Sequence, residues 1–155
     1  MSLDRRSIAR LLPAALFMMA AQQSLGKTMD LTPVKVSIKV TTFEGKRALA
    51  SITILNVSHH AVWILKDAPS LMLECDGAEV EDIGPMIKRR EYTMADYDKV
   101  EPGELVNRQV EISNQFDYRR GTHSYTISTG GGYRDPVSRR FIAGPKATAS
   151  FTLAR

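Results

Sequence analysis

From Val34 onward the chain reads in twos. Val34, Val36, Ile38 and Val40 alternate with Lys35, Ser37 and Lys39, the period of a strand with one buried face. After the turn Glu44-Gly45-Lys46, Leu49 to Val57 resumes with Ile52 and Ile54 on one face and Leu49, Leu55 and Val57 on the other. Apolar residues on both faces predict a central strand. Asn56 to His60 reads as a turn and Ala61 to Leu65 as a short buried strand. Further strands are predicted at Leu71 to Cys75, Glu79 to Ile83, Pro85 to Lys88, Leu105 to Ile112, Ser124 to Thr129 and Ala147 to Leu153. Turn signals separate them: Asp76-Gly77, Ile83-Gly84-Pro85, Glu101-Pro102-Gly103 and the triple glycine Gly130 to Gly132. Thr93 to Asp98 has room for one helical turn. Many short strands at this spacing predict an all-β, immunoglobulin-like antiparallel β-sandwich. Two details refine that expectation. Trp63 stands in the third strand, where such folds bury an aromatic residue against the opposite sheet, and Tyr125 follows Asp117-Tyr118 and Gly121 at the start of the penultimate strand. That is the place of a tyrosine whose hydroxyl bonds backbone.

The first residues break the pattern. Arg5, Arg6 and Arg10 form a positive start, Leu11 to Ala21 is apolar, and Ser24-Leu25-Gly26 supplies small residues. This layout is a secretory signal peptide over 1–26, with the sandwich domain at 27–155, and its apolar run is too short for a stable membrane anchor. The expected location is therefore periplasmic or secreted; Arg5-Arg6 also fits the twin-arginine route. Three arginines and Asp4 leave with the signal, so the net charge falls from +4 to +2. So small a charge gives no field for nucleic-acid binding. Charged residues at 25% and hydrophobic ones at 43% fit a globular chain rather than a disordered one. Cys75 is the sole cysteine, which excludes an internal disulfide.

Catalytic and cofactor patterns are missing from the sequence. The histidines are His59, His60 and His123, without the His-Glu-x-x-His spacing that puts two imidazoles on one helix face. No Gly-x-Ser-x-Gly elbow or phosphate loop occurs. Gly130 to Gly132 reads as a flexible loop made basic by Arg134, Arg139 and Arg140. Asn56-Val57-Ser58 matches a glycosylation acceptor. No enzyme activity, metal or cofactor is expected.

Three segments in order carry a resemblance: Ile64-Leu65-Lys66-Asp67-Ala68-Pro69, then Ile87-Lys88-Arg89 with Thr93-Met94-Ala95-Asp96-Tyr97, then Glu101-Pro102-Gly103-Glu104. Asp117-Tyr118, Gly121-Thr122 and Tyr125-Thr126-Ile127 complete the set. Over roughly residues 31–130 the chain resembles the propeptide-like N-terminal domain of bacterial deuterolysin-type (aspzincin) zinc metallopeptidases. The catalytic domain and its zinc-binding helix are absent from this sequence. Asp67-Ala68-Pro69 also replaces the family's aromatic residue and Asn-Thr-Pro. The resemblance implies a free-standing binding module that inhibits or escorts an exported zinc metallopeptidase. Some members of that class prefer lysine at the cleaved bond, which implies that Lys88, Arg89 or Arg90 enters an acidic specificity pocket. Tyr92 and Tyr97 would flank that contact, and Lys66 belongs to the same motif. Intramolecular pairs to Glu91, Asp96 or Asp98 are the competing account of the same charges. A second functional class, an envelope or cell-surface adhesion module, fits the same scaffold.

Overall fold

The alternating residues do form strands, and they pair into two antiparallel sheets. A computed structural model describes residues 32–85, 90–135 and 138–155. The expected signal peptide, the expected strand at Pro85 to Lys88 beyond its first residue, and Lys88 and Arg89 themselves lie outside the described residues.

The first sheet has the order β1 (Val34–Phe43), β2 (Arg47–Asn56), β7 (Leu105–Glu111). In register, Ile38 faces Ile52 and Ile52 faces Arg108, so β2 is the central strand its two-faced apolar pattern predicts. The second sheet is built on the long strand β8 (Thr122–Arg134), with β9 (Phe141–Ala154) along one edge. Two strands share the other edge end to end. β4 (Leu71–Cys75) pairs with Tyr125 to Thr129, and β3 (Val62–Leu65) pairs with Tyr133 and Arg134. β5 (Ala78–Val80) flanks β4, and β6 (Tyr97–Val100) flanks β3. Strands one, two and seven in one sheet, with three, eight and nine in the other, reproduce the division of an immunoglobulin-like sandwich.

The core lies between the sheets. Ala50, Ile52 and Ile54 of the first meet Ile64, Leu73, Tyr125, Ile127 and Leu153 of the second, all essentially inaccessible to water. Burying each aliphatic side chain of this kind contributes about 1.5–3 kcal/mol relative to exposure. The tyrosine expectation is met: the Tyr125 hydroxyl accepts from the Arg119 backbone N–H at 3.2 Å. Tyr118 adds a second such tie by donating to the Ile112 carbonyl at 2.8 Å.

Three expectations are corrected. Trp63 is half-buried on the outward face, opposite Lys99 and Arg134, because Val62 and Ile64 take the two inward positions of β3. The triple glycine is not a loop; it lies inside β8, where the register shifts between Gly130 and Gly132. The reason is a close approach of strands. A Cβ on Gly131 would collide with the Val36 side chain of β1, and one on Gly144 would strike the Gly131 backbone. Finally, the helical turn with room over Thr93 to Asp98 occupies only Met94–Asp96, and Tyr97 to Val100 is a strand held by four residue pairs to β3.

The two sheets are joined at one end by Asn56, which is fully buried. Its amide nitrogen donates to the carbonyls of His60 (2.8 Å) and Val100 (2.9 Å), and its amide oxygen accepts from the Ser58 backbone (3.0 Å) and hydroxyl (2.7 Å). Its backbone N–H donates to Glu104, and its carbonyl accepts from Gly103. Every polar group of the residue is therefore partnered. Nearby, Arg108 of β7 crosses the interlayer space to the Leu65 carbonyl (3.1 Å) and to Asp98 (2.7 Å).

Replacing Asn56 by leucine leaves the Val100 and His60 carbonyls and the Ser58 N–H without that partner. The expected loss is about 3 kcal/mol or more, read as a lower urea midpoint; a change under about 0.5 kcal/mol would refute the role. Gly131→Ala is expected to cost about 1–3 kcal/mol from overpacking. Val36→Ala in the same chain should return part of that loss, so a double-mutant cycle yields a coupling of about 1 kcal/mol. Strict additivity would rule out the contact.

Candidate functional site

The basic, tyrosine-rich segment highlighted by the sequence converges on one turn. Residues Met94–Asp96 form a single 3-10 turn just before β6. The turn starts at Thr93, whose backbone N–H and hydroxyl both donate to the Asp96 carboxylate (2.7 and 3.0 Å). That Asx-type closure satisfies a donor the short turn leaves free. The Asp96 N–H returns a bond to the Thr93 carbonyl.

Arg90 approaches the same carboxylate from outside. Its Nη1 and Nη2 donate to Asp96 Oδ2 and Oδ1 at 2.9 and 2.6 Å, a two-pronged pair. Lys66, just past β3, grips the turn from the other side. Its Nζ donates to the Ala95 carbonyl (2.8 Å) and its backbone N–H to the Asp96 carbonyl (2.9 Å). The Tyr92 hydroxyl donates to Asp67 at 3.3 Å, and its ring meets Tyr97 edge to face at 6.4 Å. Tyr97 is buried, with the Arg134 guanidinium 4.9 Å above its ring centroid. Such cation–π stacking favours a cation lying over the ring face.

Four of the six residues singled out by sequence, Lys66, Arg90, Tyr92 and Tyr97, thus belong to one constellation. Lys88 and Arg89 lie outside the described residues. Arg90 pairs within the chain, as the Asp96 alternative anticipated, and Tyr97 supports the turn from beneath. Met94 at the tip is exposed. Lys66, Arg90 and Asp96 give the segment a preset shape. Chemically it offers positive charge, an aromatic edge and an exposed thioether, which suits recognition of a protein surface.

A shallow groove lies elsewhere, between Asp82, Gly84, Pro85, Glu111, Asn114 and Gln115. The Asp82 carboxylate there accepts from Gly84 N–H (2.8 Å) and Gln115 Nε2 (3.2 Å). Glu111 is paired with Arg47 at 3.1 Å. Asp82 is thus tied to the groove's own walls and Glu111 to Arg47 of β2.

Sequence reading also missed one gathering of donors. No histidine stands near Cys75 in the sequence, and the fold brings His123 to it from β8. Cys75, Asp76 and His123 place one sulfur, one oxygen and one ring nitrogen within 4.8 Å of one another, the candidate metal-binding group among the described residues. Only pairing of β4 with β8 creates this neighbourhood. The sole local signal was the adjacency of Cys75 and Asp76.

No family model matches the chain, and no curated protein does. Among solved structures it is similar to one described as the X-ray structure of Northeast Structural Genomics Consortium target SoR45. The identity is 15%, over 79% of this chain and 86% of that one, with a TM-score of 0.46. Among the described residues, no helix is long and apolar enough to cross a membrane.

Asp96 supplies a test of the turn's electrostatics. The Arg90 hydrogen bonds first, and then the Thr93 N–H, hold its carboxyl well below the usual carboxylate range. A depressed folded value means the pairing is intact above the unfolded value near 3.8 and is lost as pH falls through the lower folded one. Arg90→Ala should move the Asp96 midpoint upward in a carboxyl-carbon NMR titration, with the Thr93 bonds retaining a smaller depression. An unmoved midpoint would show that Arg90 does not hold the carboxylate in solution.

Proposed function

We propose that this chain is an exported, non-enzymatic binding module that inhibits or escorts a secreted zinc metallopeptidase, in the manner of a prodomain supplied in trans. One observation carries the reading. Lys66 and Tyr97, from two of the segments that bear the resemblance to deuterolysin-type prodomains, meet the candidate contact residues Arg90 and Tyr92 around a single braced turn. A binding segment held in shape before contact loses less conformational entropy on docking. The adjacent Lys88 and Arg89 supply the basic side chain that enters an acidic specificity pocket of the peptidase, in place of substrate lysine.

Purified protein added to an exported zinc metallopeptidase of the same cell should inhibit it and co-purify with it. Lys88→Ala and Arg89→Ala should between them identify the inserted residue by a loss of inhibition of about tenfold or more, the scale of a charged hot spot. Unchanged inhibition constants in both variants would eliminate substrate mimicry. Absence of both inhibition and co-purification with any metallopeptidase would overturn the proposal as a whole. Capture of envelope-assembly or surface-layer proteins instead would overturn it in favour of an adhesion module.

A further inference from the structure

We infer that Cys75, Asp76 and His123 bind one divalent cation of the zinc class at the end of the sandwich where β4 turns into β5. The inference is independent of any protein partner.

The register builds the site. Cys75 lies opposite Tyr125, and His123 is two residues earlier on β8, so both side chains stand on the same inward face at the rim of the core. Asp76 opens the turn to β5 with a left-handed backbone (φ 54°), and its Oδ2 lies 3.7 Å from the Cys75 sulfur. Metal–sulfur and metal–oxygen bonds of zinc sites set a tetrahedral S···O edge of about 3.6 Å. The existing separation already matches it. The third donor lies within 4.8 Å of the other two. A contraction of about 1 Å completes the triangle, and the two movable donors are a turn carboxylate and a half-buried ring at a strand end.

The imidazole also has one nitrogen engaged and the other left for the task. His123 Nε2 stands 2.8 Å from the Arg120 carbonyl oxygen. A carbonyl only accepts, so Nε2 carries the proton in the neutral ring and the lone pair is left on Nδ1. A second ring nitrogen anchored to backbone is the usual support of a metal-bound histidine. The Tyr125 ring, 6.4 Å away edge to face, packs on the imidazole from within.

The donor set selects the ion. A thiolate with an imidazole suits borderline-soft cations, whereas calcium and magnesium require oxygen shells. On binding, the Cys75 thiol proton passes to solvent, and the thiolate and the Asp76 carboxylate together balance the 2+ charge. Cys75 is buried while the Asp76 side chain is exposed, so the ion enters from the Asp76 side and a water takes the fourth position. Arg119 stands against occupancy: its Nη1 pairs with Asp76 Oδ2 at 2.9 Å. That cation competes for the carboxylate and repels a metal, so the site is tuned weaker than its donors alone would make it.

The test is titration of Co2+, then Zn2+ in competition, into the purified full chain, with circular dichroism monitoring the fold. One equivalent of Co2+ should give a thiolate-to-cobalt charge-transfer band with the visible absorption of a four-coordinate ion, and Zn2+ should bleach both. Cys75→Ser should abolish the band, and His123→Gln should weaken binding by about tenfold or more. Arg119→Ala should tighten it several-fold, a gain that a cluster serving only to pack the sandwich end would not produce. The His59-His60 pair cannot yield a thiolate band, so it does not confuse the readout. No thiolate band in the parent chain, or unchanged affinity in the His123→Gln chain, would overturn the site.

Discussion

The geometry of this sandwich rests on the burial of one amide. The chain passes from the first sheet to the second after β2 and returns after β6, and Asn56 binds both passages. Burying an amide without partners is costly, and here four side-chain bonds and two backbone bonds remove the cost. The consequence reaches the candidate site. Val100, held by the Asn56 amide, is the far end of the four-residue strand whose other end is Tyr97. With Val62 set opposite Val100, Leu65 falls opposite Tyr97, and Lys66 arrives beside Asp96. A clamp deep in the fold thereby sets the position of a surface turn.

The same economy appears between the sheets. Gly131 and Gly144 let β1, β8 and β9 approach more closely than side chains would allow. At the other side, Arg108 fills the interlayer space with a guanidinium rather than a methyl-rich side chain, and reaches the strands that carry the turn. Lys66 and Arg90 then brace Asp96 from two directions. Exposed contacts of this kind, the Arg90–Asp96 ion pair and the Lys66 bonds to backbone carbonyls, add little to global stability. Their contribution is local: they limit the shapes available to a short, polar segment.

Strands with simple alternation were legible. Val34 to Val40, Leu49 to Asn56 and Leu71 to Cys75 follow period-two burial, and their pairing partners share it. Illegible features are those decided by distant neighbours. A run of three glycines signals a turn locally, yet steric closeness to Val36 places it inside a strand. Trp63 looked like a core aromatic by its strand position, but Val62 and Ile64 set the parity of β3. β6 was hidden because four residues are too few to display a period, and only its pairs with β3 define it. The members of the candidate site were legible as a motif and Asp96 as one of three candidate partners for its charges, whereas its role as the carboxylate that closes the turn needed the fold. Cys75 and His123 are brought together by register alone, which no local pattern encodes.

The Asn56-Val57-Ser58 triplet now has a further meaning. In a host that attaches glycans to nascent chains, sugar transfer reaches Asn56 while the polypeptide is still unfolded. A glycan on that nitrogen cannot follow the amide into a fully buried position, and it removes a donor that the Val100 and His60 carbonyls require. Modification and folding are thus mutually exclusive at this residue. Each modified chain is a covalent dead end, so the biosynthetic route itself sets the yield of native protein.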